Sequence, residues 1–250
     1  MRILLTNDDG IDSEGLIALY HALTPDHEVA VIAPDRNWSI AGHNKTMDRP
    51  LRVTEREWEG MRVYASDGTP SDCVSLAALG FLGYRPDLVV AGINKGPNLG
   101  DDITYSGTVA AAMEGVISEI PAIAVSIEDY LDWHFETPAP YVTRLVREVE
   151  RNGMPAGVLL NVNAPNLPPE AIRGVRVTRL GRRIYHDQLV KRLDPRGRPY
   201  YWIGGDIPQS HLEEGTDAHA VANGYISITP IHMDLTNHRL LKVIEGWDLS

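Results

Sequence analysis

RILLTNDDGIDSEGLIALYHALTPDHEVAVIAP, residues 2–34, decides the fold. It opens on Arg2 to Thr6, a short apolar run stopped by Asn7-Asp8-Asp9-Gly10. Buried strands read as such continuous apolar runs. Leu16, Leu19, Tyr20 and Leu23 then recur at helical spacing, with Asp12 or Ser13 placed to cap the helix. HEVAVIAP (27–34) forms the second strand, closed by Pro34. A strand, helix and strand within about 30 residues make a parallel pair with a right-handed crossover. The rhythm continues with strands at 62–66, 87–93, 122–127 and 157–163 and helices at 71–82, 107–118 and 138–151. The chain therefore reads as α/β, with a doubly wound, mostly parallel sheet.

After about residue 170 the pattern changes. VRVTRLGRRIYHDQLVKRLDPRGRPYYWIGG (175–205) alternates branched or aromatic residues with arginine and breaks at Asp194-Pro195-Arg196-Gly197, the signal of a turn between two extended arms. A long hairpin that is polar on both faces does not stabilise itself in water, so it is expected to pack on another surface, such as a second subunit. Residues 173–198 carry nine Arg or Lys against two Asp, a net +7 in a chain whose formal charge is -11. An exchanged basic arm against the acidic body of a partner explains this asymmetry better than an arm reaching for a polyanionic substrate. Residues 215–236 offer one more short helix and a strand. The chain divides on this reading into a catalytic body, 1–170, and a segment 171–250 holding the hairpin arm and completing the domain and the oligomer.

With 250 residues, 43% of them apolar, the chain can bury a sizeable core. Its acidic balance argues against a nucleic-acid duplex as partner. The single cysteine, Cys73, excludes an intramolecular disulfide framework and sits where a buried helix position is expected. No segment approaches the roughly 18 apolar residues needed to span a bilayer, and the first residues lead from one arginine straight into a strand. A cytoplasmic location is expected.

In open α/β sheets ligands gather outside the carboxyl ends of the strands. Asp8 and Asp9 leave the first strand where Gly10 permits a sharp turn, so both carboxylates can converge. Converged carboxylates repel unless a proton or cation lies between them, and an all-oxygen site favours Mg²⁺, Mn²⁺ or Ca²⁺ over zinc. The alternative is that they are turn and capping residues. The loop after the second strand supplies a hydroxyl, Ser39, and a histidine, His43, that reads either as a general acid or phosphate contact or as a hydrogen-bonding surface residue. Residues 91–115, AGINKGPNLGDDITYSGTVAAAMEG, offer Asn94 as a neutral oxygen donor and enter a helix through Ser106-Gly107-Thr108, where small residues and the helix dipole make an anion cradle. Asp101 and Asp102 would repel a phosphate and read as loop-stabilising residues.

Together MRILLTNDDG, APDRNWSIAGHNKT, GTPSDCVSLA, VVAGINKGPNLGDDITYSGTVAAAMEG and GYISITPIHMDLT, in this order from residue 1 to about 236, resemble the SurE (survival protein E) family of 5'/3'-nucleotidases. The resemblance implies a Rossmann-like body, an extended C-terminal β-hairpin arm exchanged in a homodimer or homotetramer, and metal-dependent hydrolysis of nucleoside monophosphates. It implies one divalent ion, Mg²⁺ or Mn²⁺ with Ca²⁺ admitted, on Asp8, Asp9, Ser39 and Asn94. Asp8 and Asp9 would be catalytic as well, the latter positioning the attacking water. Asn98, Ser106, Gly107 and Thr108 would bind phosphate. Trp38-Ser39-Ile40 departs from the pattern in being bulkier than expected. The rival readings are a catalytically silent nucleotide sensor and another α/β divalent-metal hydrolase. A dinucleotide enzyme is disfavoured because no G-x-G-x-x-G follows the first strand.

Overall fold

The computed structural model describes residues 1–40, 42–128, 133–205 and 208–249. In chain order the elements are β1 (Arg2–Thr6), α1 (Glu14–Leu23), β2 (Glu28–Pro34), β3 (Val53–Trp58), β4 (Met61–Ser66), α2 (Pro70–Ala78), β5 (Leu88–Lys95), α3 (Gly107–Ile117), β6 (Ala122–Glu128), α4 (Pro138–Asn152) and β7 (Val158–Pro165). There follow β8 (Val175–Val177), β9 (Arg183–Ile184), β10 (Asp187–Leu193), β11 (Pro199–Gly205), β12 (Gln209–Ser210), α5 (Asp217–Ala222), β13 (Ile226–His232) and α6 (His238–Ile244). Nine strands form one sheet in the order β3-β4-β2-β1-β5-β6-β7-β13-β8, and from β4 to β7 every pairing is parallel.

Period-two alternation divides the core between the two faces of this sheet. Ile3 and Leu5 pack with Leu16, Leu19 and Leu23 of α1 and with Val142, Val146 and Val149 of α4. Leu4 faces the other way, into a cluster with Val74 and Ala77 of α2 and Val109 and Ala112 of α3. Gly15 lets α1 lie against β5: a Cβ there would stand 2.1 Å from the Ile93 carbonyl oxygen. The chain leaves β1 for β2 on one side and comes back to β5 on the other, so the strand order reverses between β1 and β5. Ligand crevices open at such switch points.

The doubly wound body agrees with the sequence pattern, with several local differences. The helix expected over 71–82 ends at Ala78, where Gly80 turns the chain at φ 95. Ser13, not Asp12, stands at the N-cap of α1, and its side chain makes no capping hydrogen bond. Antiparallel β3 and the short helix α6 carry too many exposed positions to show an apolar run, and both escape the sequence pattern. The extended arm is shorter than residues 175–205. Val175–Val177 adds an edge strand parallel to β13, β9 pairs with β12, and only β10 and β11 form the hairpin. Its turn closes where expected: the Asp194 carboxylate accepts the backbone N–H groups of Arg196 and Arg198 at 2.8 and 2.9 Å, and Gly197 takes a positive φ of 76.

Candidate active site

The loop after β1 is built around its own side chains. Asn7 Nδ2 donates to the Gly10 carbonyl at 3.0 Å, and Asn7 Oδ1 accepts the Gly10 N–H at 3.1 Å, which turns the chain sharply and leaves Asp8 and Asp9 at the strand end. Asp8 is buried. The Thr108 N–H donates to its Oδ2 at 3.0 Å and the Thr108 hydroxyl to its Oδ1 at 2.5 Å. This requires the N-terminus of α3 to come very close. A Cβ on Gly107 would lie 2.7 Å from the Asp8 Cβ, so glycine is the residue that fits. The Lys95 N–H donates to Asp9 Oδ2 at 3.0 Å, while the Lys95 ammonium goes to Glu14 at 3.3 Å.

No ion pair joins Asp8 or Asp9 to a basic side chain among the described residues. Burial pushes the Asp8 carboxyl up to about 6, with the Asp9 charge adding to the effect and the Thr108 hydrogen bonds opposing it. Burial also raises Asp9, against the pull of Lys95. A buried carboxylate pair with no basic side chain against it calls for a proton or a bound cation.

Two further oxygens come from the strands that flank β1. The Trp38 N–H donates to the Asp8 carbonyl at 2.7 Å and so ties the loop after β2 to the end of β1. Ser39 follows, its N–H and hydroxyl both donating to Asn37 Oδ1 at 2.6 Å. At the end of β5, Asn94 Nδ2 donates to the Gly96 carbonyl at 2.8 Å, which leaves its Oδ1 without a hydrogen bond among the described residues. Asp8, Asp9, Ser39 and Asn94 thus leave β2, β1 and β5, three neighbours in the sheet. The donors that the sequence reading names are two carboxylates, an alcohol and an amide, and among the described residues no group of three or more His, Cys, Asp or Glu could hold a metal. Hard cations take such oxygen ligands.

The anion cradle differs in detail from its sequence reading. Ser106 caps α3 by accepting the Val109 N–H at 3.0 Å, and Gly107 begins the helix with an N–H that has no intrahelical acceptor. Thr108 is drawn to Asp8 with both of its donors and not toward a bound anion. Asn98 is buried behind the loop: its Nδ2 donates to Ser126 Oγ at 2.7 Å, its N–H to Asn163 Oδ1 at 2.8 Å, and its carbonyl accepts from Asn161 and Asn163. Sequence reasoning passed over Ser126, Asn161 and Asn163, although amides two apart in the apolar run of β7 were a visible signal. Asp102 pairs with Arg183 at 2.7 Å and accepts from the Tyr185 hydroxyl, which turns it into the loop.

His43 is engaged away from the aspartates. Its Nε2 lies 3.1 Å from Glu114, whose carboxylate also takes Lys45 Nζ at 2.6 Å and the Ser75 hydroxyl at 2.8 Å. Burial would raise Glu114, but these three partners outweigh it and hold the carboxyl down at about 2. Glu114, unforeseen from sequence, thereby anchors the loop that carries Ser39 to the helix that touches Asp8. Cys73 is fully buried and its thiol is pushed far above the ordinary range, as a structural residue requires.

The model of the family described as survival protein SurE matches residues 3–187. The chain is 53% identical over 251 residues to the 5'-nucleotidase SurE of Chloroflexus aggregans, covering 99% of each. Against that of Herpetosiphon aurantiacus it is 51% identical over 240 residues, covering 95% of this chain and 94% of the other. The crystal structure of the SurE protein from Aquifex aeolicus superposes with a TM-score of 0.86 at 47% identity, covering 98% of both chains.

Proposed function

The chain belongs to the survival protein SurE family, and on that premise we propose that it hydrolyses nucleoside 5'- and 3'-monophosphates with Asp8, Asp9, Ser39 and Asn94 holding a divalent ion. Phosphomonoester hydrolysis is the chemistry of the relatives it matches from end to end. The observation that supports this site best is the buried Asp8 beside Asp9, held by Thr108 and paired with no basic side chain among the described residues. Mg²⁺ and Mn²⁺ suit the oxygen set, and Ca²⁺ is admitted by it.

When bound, the ion would withdraw charge from a phosphoryl oxygen and lower the pKa of water. The protein's own residues do the rest. Thr108 fixes the Asp8 carboxylate in one rotamer. Asp9 is fixed through Oδ2 by Lys95, and its Oδ1, without a hydrogen bond to the described residues, orients the attacking water. The Gly107 N–H and the dipole of α3 share the charge of the phosphoryl group as it transfers, with Ser106 holding the helix end and Asn98 the loop behind it. Thr108 serves the phosphate indirectly, by placing Asp8.

Incubation with 5'-AMP and Mn²⁺, with and without EDTA, tests the reading. Phosphate release that chelation abolishes is expected, whereas binding without release would mark a silent sensor and undamped release in EDTA would remove the ion from the mechanism. We propose further that residues 1–170 supply this site and that 171–250 complete the domain and a homodimer or homotetramer through an exchanged hairpin. In support, among the described residues β10 and β11 pair only with each other, and they expose Leu189, Leu193, Trp202 and Ile203. Equilibrium sedimentation of the full chain at monomer mass would end that part. No helix among the described residues is long and apolar enough to cross a membrane, which is compatible with the cytoplasmic location we propose.

A further inference from the structure

Beside the aspartates, between the ends of β1 and β2 and the start of α1, lies a hollow of about 250 Å³ walled by Asp9, Ser13, Asp35, Arg36, Asn37 and Lys95. Three of these residues have unspent hydrogen-bonding capacity. Ser13 stands at the N-cap of α1 without capping it, is 8% exposed, and its hydroxyl has no partner. A buried hydroxyl left alone is costly unless a ligand or water meets it. The Asp35 carboxylate makes no hydrogen bond or ion pair among the described residues; only its backbone N–H is engaged, with the Ser66 carbonyl at 2.7 Å. Asn37 uses its Oδ1 for Ser39 at 2.6 Å and keeps its amide donors. The wall therefore offers a hydroxyl, a carboxylate acceptor and an amide donor.

Its cations are occupied. Lys95 pairs with Glu14 at 3.3 Å and lies 4.6 Å from the centre of the Trp133 ring, and the Arg36 guanidinium stacks over Trp38 at 4.9 Å. Asp12, also in the wall, is neutralised by Arg56 at 2.9 Å. With Asp9 and Asp35 added, the hollow does not favour an anion. Its volume falls just under the about 300 Å³ at which small-molecule pockets begin, which accommodates a sugar better than a whole nucleotide.

We propose that this hollow is the leaving-group subsite and that it takes the sugar of the departing nucleoside, an uncharged polyol, through Ser13, Asp35 and Asn37. The inference rests on the phosphomonoesterase reading above. Hydrolysis breaks the bond between phosphorus and the sugar oxygen, water gives its hydroxyl to phosphorus and a proton to that oxygen, and the leaving group departs as a neutral alcohol. Carboxylate and hydroxyl side chains in this wall match sugar hydroxyls as acceptor and donor. They disfavour a phosphorylated leaving group such as the rest of a polyphosphate chain.

The test compares kcat/KM of the Mn²⁺-loaded wild-type enzyme for 5'-AMP, its 2',3'-dideoxy analogue and phenyl phosphate. Removal of the two hydroxyls from the substrate is expected to lower kcat/KM at least tenfold, mostly through KM. Asp35→Asn and Ser13→Ala are each expected to reduce the ratio of kcat/KM for 5'-AMP over phenyl phosphate by about tenfold. Equal turnover of 5'-AMP and its dideoxy analogue, or variants that lose on all three substrates alike, would overturn the subsite while leaving the phosphatase intact. Release of phosphate from none of them by the wild-type enzyme would instead overturn the phosphatase reading. Because the substrate comparison uses unaltered protein, it holds whatever the variants do to folding.

Discussion

The two ends of the Asp8 to Glu114 axis along α3 invite comparison. Both carboxylates are 3% exposed, one against the first turn of the helix and one in its body, yet they titrate in opposite directions: burial pushes Asp8 up to about 6, while Glu114, which burial would also raise, is held down at about 2. What separates them is a positive charge. Around Glu114 the chain supplies Lys45 at 2.6 Å, with His43 and Ser75 filling the remaining acceptor positions. Around Asp8 it supplies an N–H, a hydroxyl and a helix dipole, and adds the repelling charge of Asp9. One region is a finished ion pair that fixes a loop; the other is, on the function proposed above, the place for an ion from solution.

The harshest way to break this comparison is Asp8→Asn. It keeps the shape and removes the charge, so Mn²⁺ affinity and kcat/KM are expected to fall together, on the order of a thousandfold or about 4 kcal/mol. Calorimetric titration with Mn²⁺ beside a phosphate-release assay measures both, and full turnover by a metal-loaded variant would mean that the Asp8 charge is not what the ion needs.

A smaller effect lies in the pH dependence of stability. A folded pKa raised from 3.8 to about 6 means that protonation favours the folded state. In metal-free protein the Asp8 contribution is fully present below about pH 4 and is lost as pH rises through about 6, an effect of ~3 kcal/mol. Glu114 runs the other way: its folded pKa is depressed from 4.5, so its contribution is present above pH 4.5 and disappears as pH falls toward 2. Burial lowers the His27 pKa, so its contribution fades as pH falls below 6.5 and overlaps the Asp8 window. Subtracting the urea-unfolding profile of Asp8→Asn from that of the wild type isolates the aspartate. Without metal the wild type is expected to be less stable than the variant at pH 7 and to draw level with it by pH 5, and saturating Mn²⁺ is expected to raise the wild type relative to the variant at pH 7; a difference that changes with neither pH nor metal would place Asp8 in a solvated setting.

Sequence legibility follows the same division. RILLT, EVAVIAP and LVVAGI announce buried parallel strands because both of their faces are covered, and Asp8, Asp9 and Asn94 stand out because they come at the ends of such runs, with Ser39 in the loop five residues beyond the second. Glu114 does not stand out: one carboxylate in AAAMEG becomes meaningful only once folding brings Lys45 and His43 to it from 69 and 71 residues away. Thr108 was legible as a helix-start donor but not as the holder of Asp8, because the approach that Gly107 permits is tertiary. β3 was hidden by exposure: an edge strand such as VTEREW has charges where a central strand has valines. Ser13 read as a helix cap, and only its missing capping bond shows it to be available.

The gentlest probe of the comparison is Glu114→Gln. The amide is nearly isosteric and still offers one oxygen to Ser75 or Lys45, so the helix and the core around it stay packed. What is lost is the charge that holds His43 and Lys45. Lys45 is 43% exposed and can return to water, so the cost is not that of stranding a buried ion. Charge-assisted hydrogen bonds of this kind contribute on the order of 1–2 kcal/mol, and that is the expected loss of unfolding free energy at pH 7. The acid limb of the stability profile below pH 4.5 should flatten in the same variant. Lys45→Met alone should cost less, and the double variant should cost less than the sum of the two, because both changes dismantle one interaction. Additive losses would show that the loop is held elsewhere, by the bond from Thr46 to Asp72 or from Gly42 to Tyr105, and that Glu114 is a satisfied core residue with no part in placing Ser39.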